Sequence, residues 1–150
     1  MHIEILSDAQ KRVLASLAQA LDGTEYYLAG GTALALQLGH RRSIDFDWFI
    51  RKLGEPEGLF RLMKALPMDY VVESISIETV YLTIEGVQNS FIGYDYPMLR
   101  DTVRLPDMGI QMASMEDIAC MKLSAVASRG SRKDFFDLHH LVSQPKRGLW

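Results

Sequence analysis

Tyr26-Tyr27-Leu28-Ala29-Gly30-Gly31-Thr32-Ala33-Leu34-Ala35-Leu36-Gln37-Leu38, followed after a short link by Ile44-Asp45-Phe46-Asp47-Trp48-Phe49-Ile50, is the stretch on which the fold turns. An apolar run, two glycines and a second apolar run ending at Gly39 read as strand, tight turn and short helix. The stretch from Ile44 begins by alternating. As a strand it places Ile44, Phe46 and Trp48 on one face and Asp45 with Asp47 on the other. A Gly-Gly turn entering a helix brings backbone N–H groups to the helix N-terminus, with no Cβ to keep a phosphate away. Alone this signal is weak, because such turns are common.

The aspartates strengthen it. Aspartate is disfavoured in strands, and two on one face, flanked by Ile44, Phe46 and Trp48, repel unless a cation lies between them. Two strand rises put their α-carbons roughly 7 Å apart, so both carboxylates can converge on one divalent ion or a pair. Carboxylates select hard cations such as Mg²⁺ or Mn²⁺ over zinc. The competing reading is the wetted face of an edge strand.

Outward from this pair, residues 1–150 read as one mixed α/β domain. Ser7 and Gln10 have capping-box spacing ahead of Val13, Leu14, Leu17 and Leu21, a helical stripe that Gly23 stops. Leu59, Leu62, Met63 and Leu66 predict a helix ending before Pro67. Strands are expected over 70–77, 79–84 and 87–94, with Gly86 as a hairpin turn, and 109–113 is read as a short edge strand. Ser114-x-x-Asp117 and Ser131-x-x-Asp134 cap two closing helices, separated by Arg129-Gly130. The fold class is therefore α/β (α+β), with a small mixed central sheet flanked by helices over 1–113 and a helix pair over 114–143.

With 48% hydrophobic and 23% charged residues, the composition excludes a disordered or fibrous chain. A net charge of -3 gives no chain-wide basic field, so nucleic acid would have to meet a local patch. Arg41-Arg42 and the group Arg129, Arg132 and Lys133 are candidates, although by themselves they read as solvated surface charge. The lone Cys120 excludes an internal disulfide and suits a reducing compartment. The N-terminus lacks the pattern of a signal peptide and no apolar run nears the ~20 residues of a membrane span, so a cytoplasmic protein with no membrane contact is expected.

Leu28-Ala-Gly-Gly-Thr-Ala-Leu, with thirteen residues between Gly31 and Asp45-Phe-Asp47, resembles the signature of the DNA polymerase β nucleotidyltransferase superfamily. The C-terminal run Ser114-Met-Glu-Asp-Ile-Ala-Cys-Met-Lys122-Leu-Ser-Ala125, then Arg129-Gly-Ser-Arg-Lys133-Asp134-Phe-Phe-Asp137-Leu138, narrows this. Together the motifs resemble the AbiEii/AbiGii abortive-infection toxin group, over about residues 26–142. The resemblance implies a polymerase-β-type fold and transfer of a nucleotide from an NTP, through Mg²⁺ or Mn²⁺, to an acceptor hydroxyl. In that group some members act on the tRNA 3′ end, and an antitoxin protein is the expected partner. Carried over by position, Asp45 and Asp47 are the metal ligands, and with Lys122 and Asp134 they form the catalytic set. Gly30, Gly31, Thr32, Ser43, Lys122, Arg129 and Lys133 are the nucleotide-binding set.

Each C-terminal residue also has a plain reading. Asp134 fits a helix-cap acid, Lys133 and Asp137 an i,i+4 surface pair, and Lys122 a solvated lysine. His139 and His140 are adjacent and have no assigned role. The superfamily's third carboxylate is missing from the strand Val87-Gln-Asn-Ser-Phe-Ile-Gly93, where Asn89 or Ser90 takes its place. The stretch Pro145-Lys-Arg-Gly-Leu-Trp150 has no helical pattern, and relatives continue with further helices, so reduced acceptor recognition is expected. A catalytically degenerate module that binds nucleotide or antitoxin is the alternative to an enzyme.

Overall fold

The computed structural model describes residues 1–144; the stretch 145–150, read above as patternless, lies outside the described residues. After a 3-10 turn at Ile3–Ile5, the chain runs α1 (Asp8–Ala20), β1 (Tyr27–Ala29), α2 (Gly30–Leu38), β2 (Phe46–Ile50), α3 (Pro56–Met63) and β3 (Tyr70–Ser76). It continues through β4 (Thr79–Ile84), β5 (Val87–Gly93), β6 (Val103–Arg104), β7 (Gln111–Met112), α4 (Met115–Ser128) and α5 (Arg132–Ser143).

The seven strands form one sheet in the order β3-β4-β5-β2-β1-β7-β6. It is mixed, because β2 runs parallel to β5 and β1 to β7, while the other neighbours are antiparallel. β1 sits between β2 and β7, so all three of its residues are buried. Such a strand shows no alternation in sequence, which is why it reads as a plain apolar run.

Alternation in β2 divides the sheet's faces. Phe46 and Trp48 are buried on one side, where the Trp48 indole N–H donates to Asn89 Oδ1 at 3.1 Å. Leu21, at the end of α1, and Trp48 border the same small cleft. Asp47 and Phe49 point the other way, toward α4 residues Ile118 and Met121. α2 is apolar over nearly its whole surface, with Ala33, Leu34, Ala35 and Leu36 fully buried among β1, β2, α4 and α5.

The predicted caps are present. Ser7 and Gln10 exchange side-chain and backbone hydrogen bonds at 3.2 and 2.9 Å, and Ser114 and Ser131 accept from the N–H groups of Asp117 and Asp134. Each such cap satisfies helix donors that would otherwise be orphaned. Glu85 and Gly86 both have positive φ, +46° and +76°, the geometry of a two-residue hairpin turn joining β4 to β5.

Three expectations need correction. Ile44 does not face the core with Phe46 and Trp48: it is 70% exposed, because pairing starts at Phe46 and the preceding link is irregular. The strand near 109–113 is not an edge, since β6 pairs outside it. β6 itself went unpredicted, because two residues carry no periodicity. α3 ends at Met63, so Leu66 lies in the turn after it.

Leu28 fills the centre of this arrangement with no exposed surface. Leu28→Ala is expected to cost about 3 kcal/mol of stability, through lost burial and a residual cavity. In urea unfolding the midpoint should fall while the slope stays unchanged.

Candidate active site

The site forms where β1 turns into α2. Gly30 has φ +65°, a conformation that favours glycine, and a Cβ there would collide with Asp47 Oδ2. A Cβ on Gly31 would collide with the Arg41 guanidinium. The glycine pair therefore lets two side chains close on the turn. Ala29 at the N-cap supplies no side-chain bond, so no side chain caps the first turn of α2.

Between α2 and β2 the link is fastened from within. The Thr32 hydroxyl meets Ser43 Oγ at 2.7 Å and donates to the backbone carbonyl of Asp45, while Gln10 Nε2 donates to the Ser43 carbonyl at 2.7 Å. Thr32 and Ser43 are buried, and their hydroxyls hold the loop that delivers Asp45. Asp47 follows one strand position beyond Phe46, directly opposite Ser90 of β5. Ser90 Oγ donates to Asp47 Oδ1 at 2.6 Å, so of the two neighbours Ser90 shares the face of Asp47, while Asn89 bonds Trp48 on the other. Burial pushes the Asp47 carboxyl above its usual range, the Ser90 bond opposes that, and the neighbouring charge of Asp45 adds to it.

α4 and α5 close the site with a buried charge network. Lys122 Nζ lies 2.9 Å from both Asp134 Oδ1 and Asp137 Oδ2. Asp134 also accepts from Ser131 Oγ at 2.6 Å and from Arg129 Nε at 3.2 Å. Asp137 takes a two-pronged bond from Arg41, at 2.7 and 2.9 Å, and one from His40 Nε2 at 2.7 Å. The His40 ring stacks on Phe136, and among the described residues its buried Nδ1 has no hydrogen-bond partner. Burial alone would raise both carboxyls. For Asp134, bonds from Ser131, Lys122 and Arg129 outweigh it and hold the group down at about 2. For Asp137, bonds from Arg41, His40 and Lys122 hold it well below the usual range.

A cleft of about 460 Å³ opens between these halves. Gly30, Asp45, Asp47, Lys122, Arg129 and Asp134 border it, with Phe49, Ser90, Ile92, Tyr94 and Tyr81 forming an opposite wall. Gly31, Thr32 and Ser43 support the cleft from behind, and Lys133 is exposed on α5 away from its lining. Lys122 is a wall residue whose charge is already matched by two buried carboxylates, whereas Arg129 is 70% exposed at the rim.

Three plain readings of the sequence are corrected by this network, the first being Lys122, which is buried rather than solvated. Asp137 is fully buried and does not pair with Lys133, and Arg41 is not a solvated surface charge. His40, Arg41 and Asp137 are the members that sequence reasoning missed. One signal was present: Asp134 and Asp137 lie three apart, hence on one helix face, and two acids on one face require shared cations.

The arrangement of glycine turn, paired aspartates and closing helix pair on a mixed sheet defines a nucleotidyltransferase. A family described as "Nucleotidyl transferase AbiEii toxin, Type IV TA system" matches residues 12–74 and 56–149. The uncharacterized protein aq_aa25 of Aquifex aeolicus (strain VF5) is 37% identical over 139 residues, which span 91% of this chain and 67% of that protein. JHP933 from Helicobacter pylori superposes with a TM-score of 0.62 at 25% identity, over 91% of this chain and 67% of that one. The antibiotic-resistance factor ANT(2'')-Ia gives a TM-score of 0.66 at 14% identity, over 90% of this chain and 84% of its own, a likeness of fold. The chain belongs to the AbiEii nucleotidyl transferase toxin family. Among the described residues no helix is long and apolar enough to cross a membrane.

The two kinds of acid should respond oppositely to neutralisation. Asp137→Asn leaves Arg41 and Lys122 short of a buried counter-charge and is expected to destabilise by about 3 kcal/mol. Asp47→Asn removes a carboxylate whose burial disfavours its charge, so its melting temperature at neutral pH should rise. With pH the signs also differ. The depressed pKa values of Asp134 and Asp137 give stability that is present above about pH 4 and lost as pH falls toward about 2. The raised Asp47 pKa works against folding once that group ionises. Thermal melts of both variants across pH 2 to 8, a range set by these ordinary carboxylate values, check the assignment.

Proposed function

We propose that this cleft transfers a nucleotide from an NTP to the hydroxyl of an RNA acceptor, with the tRNA 3′ end as the favoured acceptor, in a toxin paired with a cognate antitoxin protein in the cytoplasm. The observation that carries the reading is the meeting, across one cleft, of the Gly30 turn, the Asp45–Asp47 pair and the α4–α5 cations.

The donor set suits a hard divalent cation. Asp47 is a half-buried carboxylate whose proton affinity is raised by burial and by the charge of Asp45, more than the Ser90 bond and the charges of Lys122 and Arg129 lower it. Among the described residues no histidine, cysteine or third acid joins them to form a larger ligand cluster. Asp45 and Asp47 would hold Mg²⁺ or Mn²⁺, which supplies charge neutralisation at the phosphoryl oxygens and lowers the pKa of a bound hydroxyl. Ser90 keeps Asp47 oriented by occupying Oδ1, so that Oδ2 beside Gly30 faces the turn.

The first turn of α2 offers backbone N–H groups to the triphosphate, and the positive end of the helix dipole adds to their attraction. Arg129 stands at the rim as an exposed cation that can follow the phosphate chain as it enters. The acceptor hydroxyl oxygen forms a bond to the α-phosphorus and gives up its proton to solvent water, while the bond from the α-phosphorus to the oxygen bridging to the β-phosphate breaks and pyrophosphate leaves. Lys122 contributes positive potential from the wall, and Asp134 and Asp137 fix its position.

A second reading is favoured by one observation: Ser90 stands where the superfamily carries an acid, which suits a module that binds nucleotide without turnover. The two readings separate in one assay. With Mg²⁺, each labelled NTP and total tRNA, the wild-type protein should label tRNA, and the Asp45→Asn/Asp47→Asn variant should lose at least about a thousandfold in rate. Periodate oxidation of the tRNA terminus should abolish labelling. Equal labelling by the variant sinks the catalytic reading, and Mg²⁺-dependent NTP binding without transfer to any acceptor supports the module.

A further inference from the structure

Beside the catalytic cleft lies a second one of about 460 Å³, bordered by Tyr27, Arg51, Tyr94, Asp95, Tyr96 and Met98. Tyr94 lines both clefts, so the second continues the first. Its rings form a connected series. Tyr27 stacks on Phe49 with centroids 6.0 Å apart, Phe49 meets Tyr94 edge-on at 5.7 Å, and Tyr94 lies 5.0 Å from Tyr96. Phe49 belongs to the catalytic wall, while Tyr96, at the outer end, is 69% exposed. The core therefore does not account for the position of Tyr96.

The segment carrying these rings is held at both ends. Tyr94 N–H donates to the Ile50 carbonyl at 2.8 Å. At the far end Asp117, buried at the start of α4, accepts from the N–H groups of Leu99 and Arg100 at 2.7 and 3.2 Å. The Tyr27 hydroxyl also reaches Met98 Sδ at 3.5 Å. Thus α4 supplies Lys122 to one cleft and, through Asp117, fixes the rim of the other.

We infer that the tyrosine-lined cleft is a subsite for an unpaired base of a single-stranded nucleic acid, next to the terminus whose hydroxyl accepts the nucleotide. Aromatic rings on a fixed backbone stack any base, and a flanking cation follows the phosphate chain. Arg51 fits that part: it is 83% exposed and, among the described residues, bonded to the exposed Asp95 alone, a pair worth little and readily exchanged for phosphate. Phe49, Ile92 and Met121 give the catalytic cleft an apolar wall of its own for the base of the NTP. Space beyond Tyr94 accordingly extends the site by one more unit, which suits a polymer. A small polycationic acceptor would call for clustered acids, and Asp95 is the single acid bordering this cleft.

The inference rests on the nucleotidyl-transfer reading, and its test uses binding so that the two fail separately. Fluorescence anisotropy with labelled single strands on the order of 10 nucleotides, as RNA and as DNA, is measured without NTP beside the corresponding duplex. Tyr96→Ala is expected to weaken single-strand binding about tenfold, Tyr96→Trp to restore it, and both to leave calorimetric Mg²⁺–NTP affinity unchanged. A loss on RNA alone or on both strands supports the subsite and distinguishes the sugar. Unchanged strand binding by Tyr96→Ala, tighter binding of duplex, or an equal loss of NTP affinity overturns it. Strand binding that depends on Tyr96 in a protein that labels no acceptor keeps the subsite and removes transfer. Labelling with strand binding independent of Tyr96 does the reverse.

Discussion

Everything at this site hangs on the placement of one buried cation between two buried carboxylates. Lys122 of α4 meets Asp134 and Asp137 of α5, and Asp137 reaches on to Arg41 and His40 in the link leaving α2. Charges taken out of water are tolerated when each is paired and its remaining hydrogen-bonding positions are filled. Here both Asp137 oxygens are filled twice over: Oδ1 by Arg41 and His40, Oδ2 by Arg41 and Lys122. This cluster fixes the C-terminal helix pair against the glycine turn, and so determines that the cleft has two walls.

Asp47 of β2 faces the opposite electrostatic situation. Asp137 and Asp134 are surrounded by donors and hold their charge easily, whereas Asp47 has Ser90 as its hydrogen-bond donor, Asp45 as a repelling neighbour, and Lys122 and Arg129 acting on it by charge without a bond. A fold optimised for stability alone would supply a cation there or neutralise the acid. A raised proton affinity at Asp47, beside a network that holds Asp134 and Asp137 charged, is the pattern expected where a ligand completes the charge balance.

Much of this was legible from local pattern. Gly30-Gly31, the Ser7, Ser114 and Ser131 caps and the Gly86 hairpin each depend on residues a few positions apart, and each formed as read, whereas of the two aspartates only Asp47 lies within β2 and Asp45 ends the link before it. What escaped was long-range or too short to have a period. Arg41 and Asp137 lie 96 positions apart, and nothing in either neighbourhood announces the other. Ile44 continued an alternating pattern by its residue type, yet hydrogen-bonded pairing began two residues later. Glycine's meaning was also only half legible: the sequence shows that room is needed at Gly30 and Gly31, not that Asp47 and Arg41 are what fill it.

That last point bears on how the site is built. If phosphate alone required the glycines, the turn could be rigid and independent of its surroundings. Instead Gly30 admits Asp47 and Gly31 admits Arg41, whose guanidinium is bound by Asp137. The strand that carries the paired acids and the helix that carries the cation-binding acids are thus both gauged against the same two backbone positions. A side chain at either position would have to displace Asp47 or Arg41. The turn therefore serves as the common reference from which Asp47 and the Arg41–Asp137 pair take their positions on either side of the cleft.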